Sequence, residues 1–101
     1  MIVYTGGTFD VPHIGHVNFF RQIKRLFPDC TLCVSVNTDE FIEKYKGKKP
    51  LFNFEERCRF LSMTGYVDTV VSNIGGQDSK PAILEVEPDI IAIGNDWLEK
   101  D

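Results

Sequence analysis

A short apolar run, MIVYTG, stops at a pair of glycines, and within ten residues the apolar positions take up helical spacing. The passage between them is GGTFDVPHIGH, from Gly6 to His16. A β-rich run that feeds a helix through so short a glycine-bearing turn is the opening half of a βαβ unit. That feature restricts the architectures open to the chain more than any other.

The alternation then continues along the sequence. HVNFFRQIKRLF places Val17, Phe19, Phe20, Ile23, Leu26 and Phe27 on one helical face, and Pro28-Asp29 ends the helix. CTLCVSV reads as a second strand, and NTDEFIEKY opens a short helix on residue types that cap well. KGKKPLFN is a loop, and FEERCRFLSMTG is a helix closed by Gly65. VDTVVSN reads as a third strand and GGQDS as a turn. KPAILEVE is then a helix with Pro81 in its first turn, and PDIIAIG a fourth strand. The expectation is an α/β fold, an open parallel sheet flanked by helices with right-handed crossovers. In such sheets ligands bind beyond the carboxyl ends of the strands. Three polar stretches fall at those ends: GGTFDVPHIGH, NTDEF and GNDW.

A length of 101 residues allows one domain, taken as residues 1–101. Eleven basic against fifteen acidic residues, a formal charge of −4, argue against a general nucleic-acid binder. No apolar run approaches the roughly 20 residues of a membrane span. The N-terminus lacks the basic region and apolar core of a signal peptide, so a cytoplasmic location is expected. Cys30 and Cys33 form a Cys-x-x-Cys spacing, but in a strand positions three apart face opposite sides of the sheet. Buried small residues are the preferred reading of that pair, with a redox or metal pair as its alternative.

The chemistry concentrates in the first turn. Gly6 and Gly7 permit close backbone approach, and the start of the following helix offers N–H groups and a dipole that favour an anion. His13 and His16, with Ile14 and Gly15 between them, can both face such an anion. Two imidazoles at a phosphate suit stabilisation of a growing oxyanion better than nucleophilic attack, because no base is paired with them. A zinc site is the competing reading, though no third and fourth ligand stands at a suggestive spacing. Lys44, Lys46, Lys48 and Lys49 form a local basic cluster in an acidic chain, which fits phosphate contact. Arg57 has either such a role or a glutamate partner on its own helix.

GTFDVPHIGH resembles the signature of the cytidylyltransferase group of nucleotidyltransferases, with its Gly-Thr-Phe-Asp and His-x-Gly-His elements. The similarity continues through VSVNTDEF, KGKKPLFNFEER, YVDTVV and PDIIAIGNDW, in an order most similar to the glycerol-3-phosphate cytidylyltransferases. The resemblance implies a Rossmann-like nucleotidyltransferase fold. It also implies transfer of CMP from CTP to a small phosphorylated alcohol such as glycerol 3-phosphate, with magnesium accompanying the triphosphate and a homodimer as the assembly. It assigns catalysis to His13, His16 and Lys46, and nucleotide contact to Gly7, Thr8, Phe9, Asp10, His13, His16, Gly94, Asp96 and Trp97. Lys46, Lys48 and Arg57 would bind phosphate or substrate, Asp10 would order the loop, and no protein side chain would be a dedicated metal ligand.

The match departs at Asn95, where the family usually carries aspartate, at Gly65, where the nearest pattern has a basic residue, and at Pro12, where leucine is common. Related enzymes continue past the tryptophan into a motif reading Arg-Thr-x-Gly-Ile-Ser-Thr-Thr, whereas this sequence ends four residues after Trp97. The expectation is therefore a fragment or a short form. An adenylyltransferase of the same superfamily using ATP, and a non-catalytic nucleotide-binding module, are the alternatives.

Overall fold

The computed structural model describes residues 1–10, 13–73, 83 and 85–92. Strand β1 (Ile2–Gly7) leads to helix α1 (Ile14–Leu26), then strand β2 (Thr31–Asn37) and helices α2 (Asp39–Lys46) and α3 (Phe54–Met63). Strands β3 (Thr69–Asn73) and β4 (Ile90–Ile91) complete a sheet of order β3-β2-β1-β4 in which every pairing is parallel. The chain steps outward from β1 to β3 and then returns to the other side of β1. In open α/β sheets ligands bind beyond the carboxyl ends of the strands at such a reversal, which here lies at β1.

The β-rich runs form strands whose side chains are buried in succession, Val3 to Thr5 in β1 and Leu32 to Val36 in β2, so both faces of these two central strands are covered. Val3 of β1 and Leu32, Val34 and Val36 of β2 join Phe20 and Ile23 of α1 and Leu61 of α3 in one core cluster. The amino-terminal edge of the sheet is tied by carboxylates. Asp89 Oδ2 accepts from the Ile2 N–H at 2.7 Å, and Asp68 Oδ2 accepts from the Leu32 N–H at 2.8 Å and from Lys24 Nζ at 2.6 Å.

Element boundaries differ from the sequence expectation where side chains cap. Helix α1 starts at Ile14 rather than His16, because His13 serves as its N-cap. Asn37 completes β2, and Thr38 caps α2 by accepting the Phe41 N–H. Asn53 caps α3, with Glu56 returning a bond to the Asn53 N–H, so Glu56 is an ordinary first-turn acid. Cys30 and Cys33 are both buried free thiols, as the packing reading expects. Among the described residues no helix is long and apolar enough to cross a membrane.

Leu61 is fully buried where α3 meets the sheet. Leu61→Ala is expected to cost about 2–5 kcal/mol in urea unfolding. A loss under about 1 kcal/mol would mean that α3 does not share this core.

Candidate active site

The turn after β1 is shaped by Phe9. This residue has a φ of 54°, in the left-handed region that non-glycine residues seldom occupy, and its ring is buried. The ring meets His16 edge-on with centroids 5.1 Å apart and tilts against Phe20 at 6.0 Å. Burial of the aromatic ring offsets the backbone strain. Gly7 makes room for it, since a Cβ there would lie 3.1 Å from Phe9 Cε2.

His13 and His16 build a capping box from two imidazoles. His13 Nδ1 accepts the Gly15 N–H at 3.0 Å, and His16 Nδ1 accepts the His13 N–H at 3.2 Å. The rings stack with centroids 3.9 Å apart. Gly15 is required by this arrangement, because a Cβ would fall 2.7 Å from His13 Cε1. A ring nitrogen that accepts a hydrogen bond carries no proton, so each neutral ring holds its proton on Nε2. His16 is 2% exposed, and burial, followed by the neighbouring His13, lowers its pKa to about 4. His13 stands exposed at the mouth of the turn. The first turn of α1 contains no acidic residue, which leaves its N-terminal dipole available to an anion.

Behind the turn lies a buried guanidinium. Arg57 is 0% exposed. Its Nη1 donates to the carbonyls of Thr8 and Asn37 at 2.7 Å each, its Nε to the Phe52 carbonyl at 3.0 Å, and its Nη2 to Asp39 Oδ1 at 2.6 Å. Asp39 also accepts the Phe54 N–H at 3.2 Å. Across the ends of the strands, Asn73 Nδ2 donates to Asn37 Oδ1, and Asn37 Nδ2 to Thr8 Oγ1, both at 2.9 Å. On the outer side, Asp10 accepts the Leu51 and Phe52 N–H groups at 3.0 Å.

These contacts revise several sequence expectations. Arg57 is a brace inside the protein rather than a phosphate contact, because its charge meets Asp39 and its other bonds go to backbone carbonyls. Its acidic partner lies on α2 and is not a glutamate of its own helix. The side chains of Thr8 and Phe9 are buried in the scaffold, which leaves their backbone as the part able to meet a nucleotide. Asp10, expected to order the nucleotide loop, accepts the Leu51 and Phe52 N–H groups and so ties a second loop to the turn. Lys46 and Lys48 are exposed, at the end of α2 and just beyond it. Gly94, Asp96 and Trp97 lie outside the described residues. The reading of single residues missed Asn37 and Asn73 as scaffold groups. The signal available was a shared ending, since VSVN and VVSN both finish a β-rich run on asparagine.

Metal binding can be tested against the donor set. Among the described residues no group of three or more His, Cys, Asp or Glu side chains could hold a metal ion. Both histidine Nδ1 atoms accept backbone N–H groups, and so do both Asp10 oxygens. The described residues therefore do not form a zinc site or a dedicated magnesium cage. Magnesium arriving with a triphosphate would rely on phosphate oxygens and water.

With this geometry in place, comparison with known proteins identifies the family. Residues 4–101 match the family described as Cytidylyltransferase-like, and the chain belongs to it. The FAD synthase of Pyrococcus abyssi (strain GE5 / Orsay) is 39% identical over 94 residues, which are 93% of this chain and 62% of that enzyme. The D-beta-D-heptose 1-phosphate adenylyltransferase of Bordetella bronchiseptica is 38% identical over 98 residues, 95% of this chain and 59% of that protein. Among solved structures, the lipopolysaccharide core biosynthesis protein from Thermoplasma volcanium GSS1 superimposes with a TM-score of 0.74 at 32% identity, covering 90% of this chain and 71% of that one. The fold is that of an α/β nucleotidyltransferase. The chain spans 62% of the length of the FAD synthases it matches.

Two outcomes test the electrostatics. Arg57→Met, which strands Asp39 and three carbonyls, is expected to cost about 2–4 kcal/mol by urea unfolding, with Arg57→Lys recovering part of it. That range sits below the figure for a wholly buried pair because water reaches Asp39. For His16, the unfolded chain binds the proton more tightly than the fold does between the ordinary pKa of 6.5 and about 4. Stability contributed by the neutral ring is therefore present above that window and declines as pH falls through it. Wild type should lose about 2 kcal/mol more than His16→Asn between pH 7 and pH 5. Parallel pH profiles for the two would remove His16 as the source.

Proposed function

We propose that this chain is the nucleotide-binding and catalytic part of an adenylyltransferase that joins AMP from ATP to a phosphorylated small molecule. The observation that carries the reading is the pair of stacked imidazoles with Nε2 protons, capping a helix whose first turn has no acid. An acceptor phosphate oxygen attacks the α-phosphorus of ATP in line. A new P–O bond forms as the bond from that phosphorus to the bridging β-oxygen breaks, and pyrophosphate leaves with the electron pair. Negative charge rises on oxygens around the α-phosphorus, where neutral imidazole N–H donors and helix-start amides stabilise it without giving up a proton. Lys46 and Lys48 offset charge on the β- and γ-phosphates. The backbone of Gly7, Thr8 and Phe9 lets the nucleotide approach, and Gly94, Asp96 and Trp97 join the nucleotide side as the family resemblance implies. Magnesium bound to the triphosphate would add charge screening there.

ATP is favoured over the CTP first inferred from the sequence because the relatives in hand are named FAD synthase and heptose 1-phosphate adenylyltransferase. The second name states adenylyl transfer to a sugar phosphate, and the first names a product that contains adenine. The GTFD and VNTDEF stretches support cytidylyl transfer to an alcohol phosphate as the second reading.

The test is pyrophosphate release with ATP or CTP, offered with flavin mononucleotide, a sugar 1-phosphate or glycerol 3-phosphate. ATP should be used at least about tenfold faster than CTP, and His13→Ala or His16→Ala should lower kcat by roughly 10²-fold or more. A preference for CTP would return the cytidylyl reading. Turnover indifferent to both histidines would contradict the mechanism.

A further inference from the structure

The loop that carries Lys48 is fastened at both ends. At its start, Gly47 takes a φ of 74° and closes α2 with a 2.8 Å bond from its N–H to the Glu43 carbonyl. At its end, Phe52 is held from two sides, its N–H donating to Asp10 and its carbonyl accepting from Arg57. Leu51 gives its own N–H to the other Asp10 oxygen. Only residues 48–50 lie between these anchors. Three extended residues span at most about 11 Å, so Lys48 stays within that distance of the Asp10 contact.

Asp10 itself belongs to the turn that leads into the histidine pair. The same carboxylate thus joins the segment bearing the imidazoles to the segment bearing the lysine. Its bonds lie at the surface, in contrast to the enclosed Arg57 brace. Charge-assisted bonds at that depth add little to global stability but fix local geometry.

We propose that Asp10 is a positioning residue whose carboxylate seats the 48–50 strap against the turn, so that Lys48 and the histidine pair meet one triphosphate. The proposal rests on the phosphate-transfer reading above and specifies how its cationic side is assembled. Asparagine at this position removes one acceptor and sets an amide N–H against a backbone N–H, with almost no change in volume.

The probe is inorganic tripolyphosphate, which carries no base, measured by calorimetry on wild type, Asp10→Asn, Lys48→Ala and the double variant. Each single variant should weaken binding by about fivefold to tenfold, and the double variant by little more than either one, because both losses remove the same contact. Trypsin should cleave Asp10→Asn after Lys46 and Lys48 several-fold faster than wild type, with melting temperatures within about 3 °C of each other. Asp29→Asn, an exposed acid on the turn before β2, should match wild type throughout. Additive losses, unchanged binding in Asp10→Asn, no tripolyphosphate binding by wild type, or unchanged cleavage would each overturn the proposal. Turnover with ATP or CTP is scored separately, so a wrong base or acceptor leaves this result standing on its own.

Discussion

A guanidinium with no exposed surface holds the carboxyl end of this sheet together. Arg57 comes from α3, yet its bonds reach the turn after β1, the end of β2, the start of α2 and the loop before its own helix. A buried cation needs an anion and full hydrogen bonding to offset its lost hydration, and Asp39 and three carbonyls supply both. The requirement works in the other direction as well. Four separate segments must be in place before the charge is satisfied, so the site forms together with the fold.

The front of the site follows from what the brace holds behind it. Thr8 is fixed through its carbonyl by Arg57 and through its hydroxyl by Asn37, so the chain must turn at Phe9. The buried Phe9 ring then forms a wall against His16. Once His16 is enclosed, ionising it is unfavourable, and the capping bond from the His13 N–H sets which nitrogen carries the proton. One set of hydrogen bonds therefore starts α1 and also fixes the protonation of the ring that the proposed mechanism uses as a donor. This differs from an acid–base pair, for which a pKa near the working pH would be suited.

The sequence revealed the layout better than the roles. Strands β1 to β3 and helices α1 to α3 fall close to the runs marked in the sequence, because the near-continuous β-rich runs of the strands and the helical spacing of the apolar positions are both local patterns. The histidine turn was legible because Gly7 and Gly15 answer to residues near them in the chain, Phe9 and His13. The role of Arg57 was not legible. Its partners at Thr8, Asn37 and Asp39 are 49, 20 and 18 residues away, and no spacing rule connects an arginine to carbonyls on other elements. Read alone, FEER offers a glutamate neighbour or a ligand contact; only the topology puts three chain ends around it. The choice of nucleotide was also hidden. A turn that receives phosphates would serve either base, and only the names of the relatives, one of them an adenylyltransferase, bear on the nucleotide.

Both Nδ1 atoms accept backbone N–H groups, so the fold sets the proton of each neutral ring on Nε2 before any nucleotide arrives. Nitrogen-15 NMR of the two histidine rings at pH 8 tests this most directly. Both rings are expected to carry the proton on Nε2, with Nδ1 shifted as a hydrogen-bond acceptor, and His16 is expected to keep this form on titration down to pH 5. A proton on Nδ1 of either ring at pH 8, or a His16 imidazolium forming near pH 6.5, would contradict it.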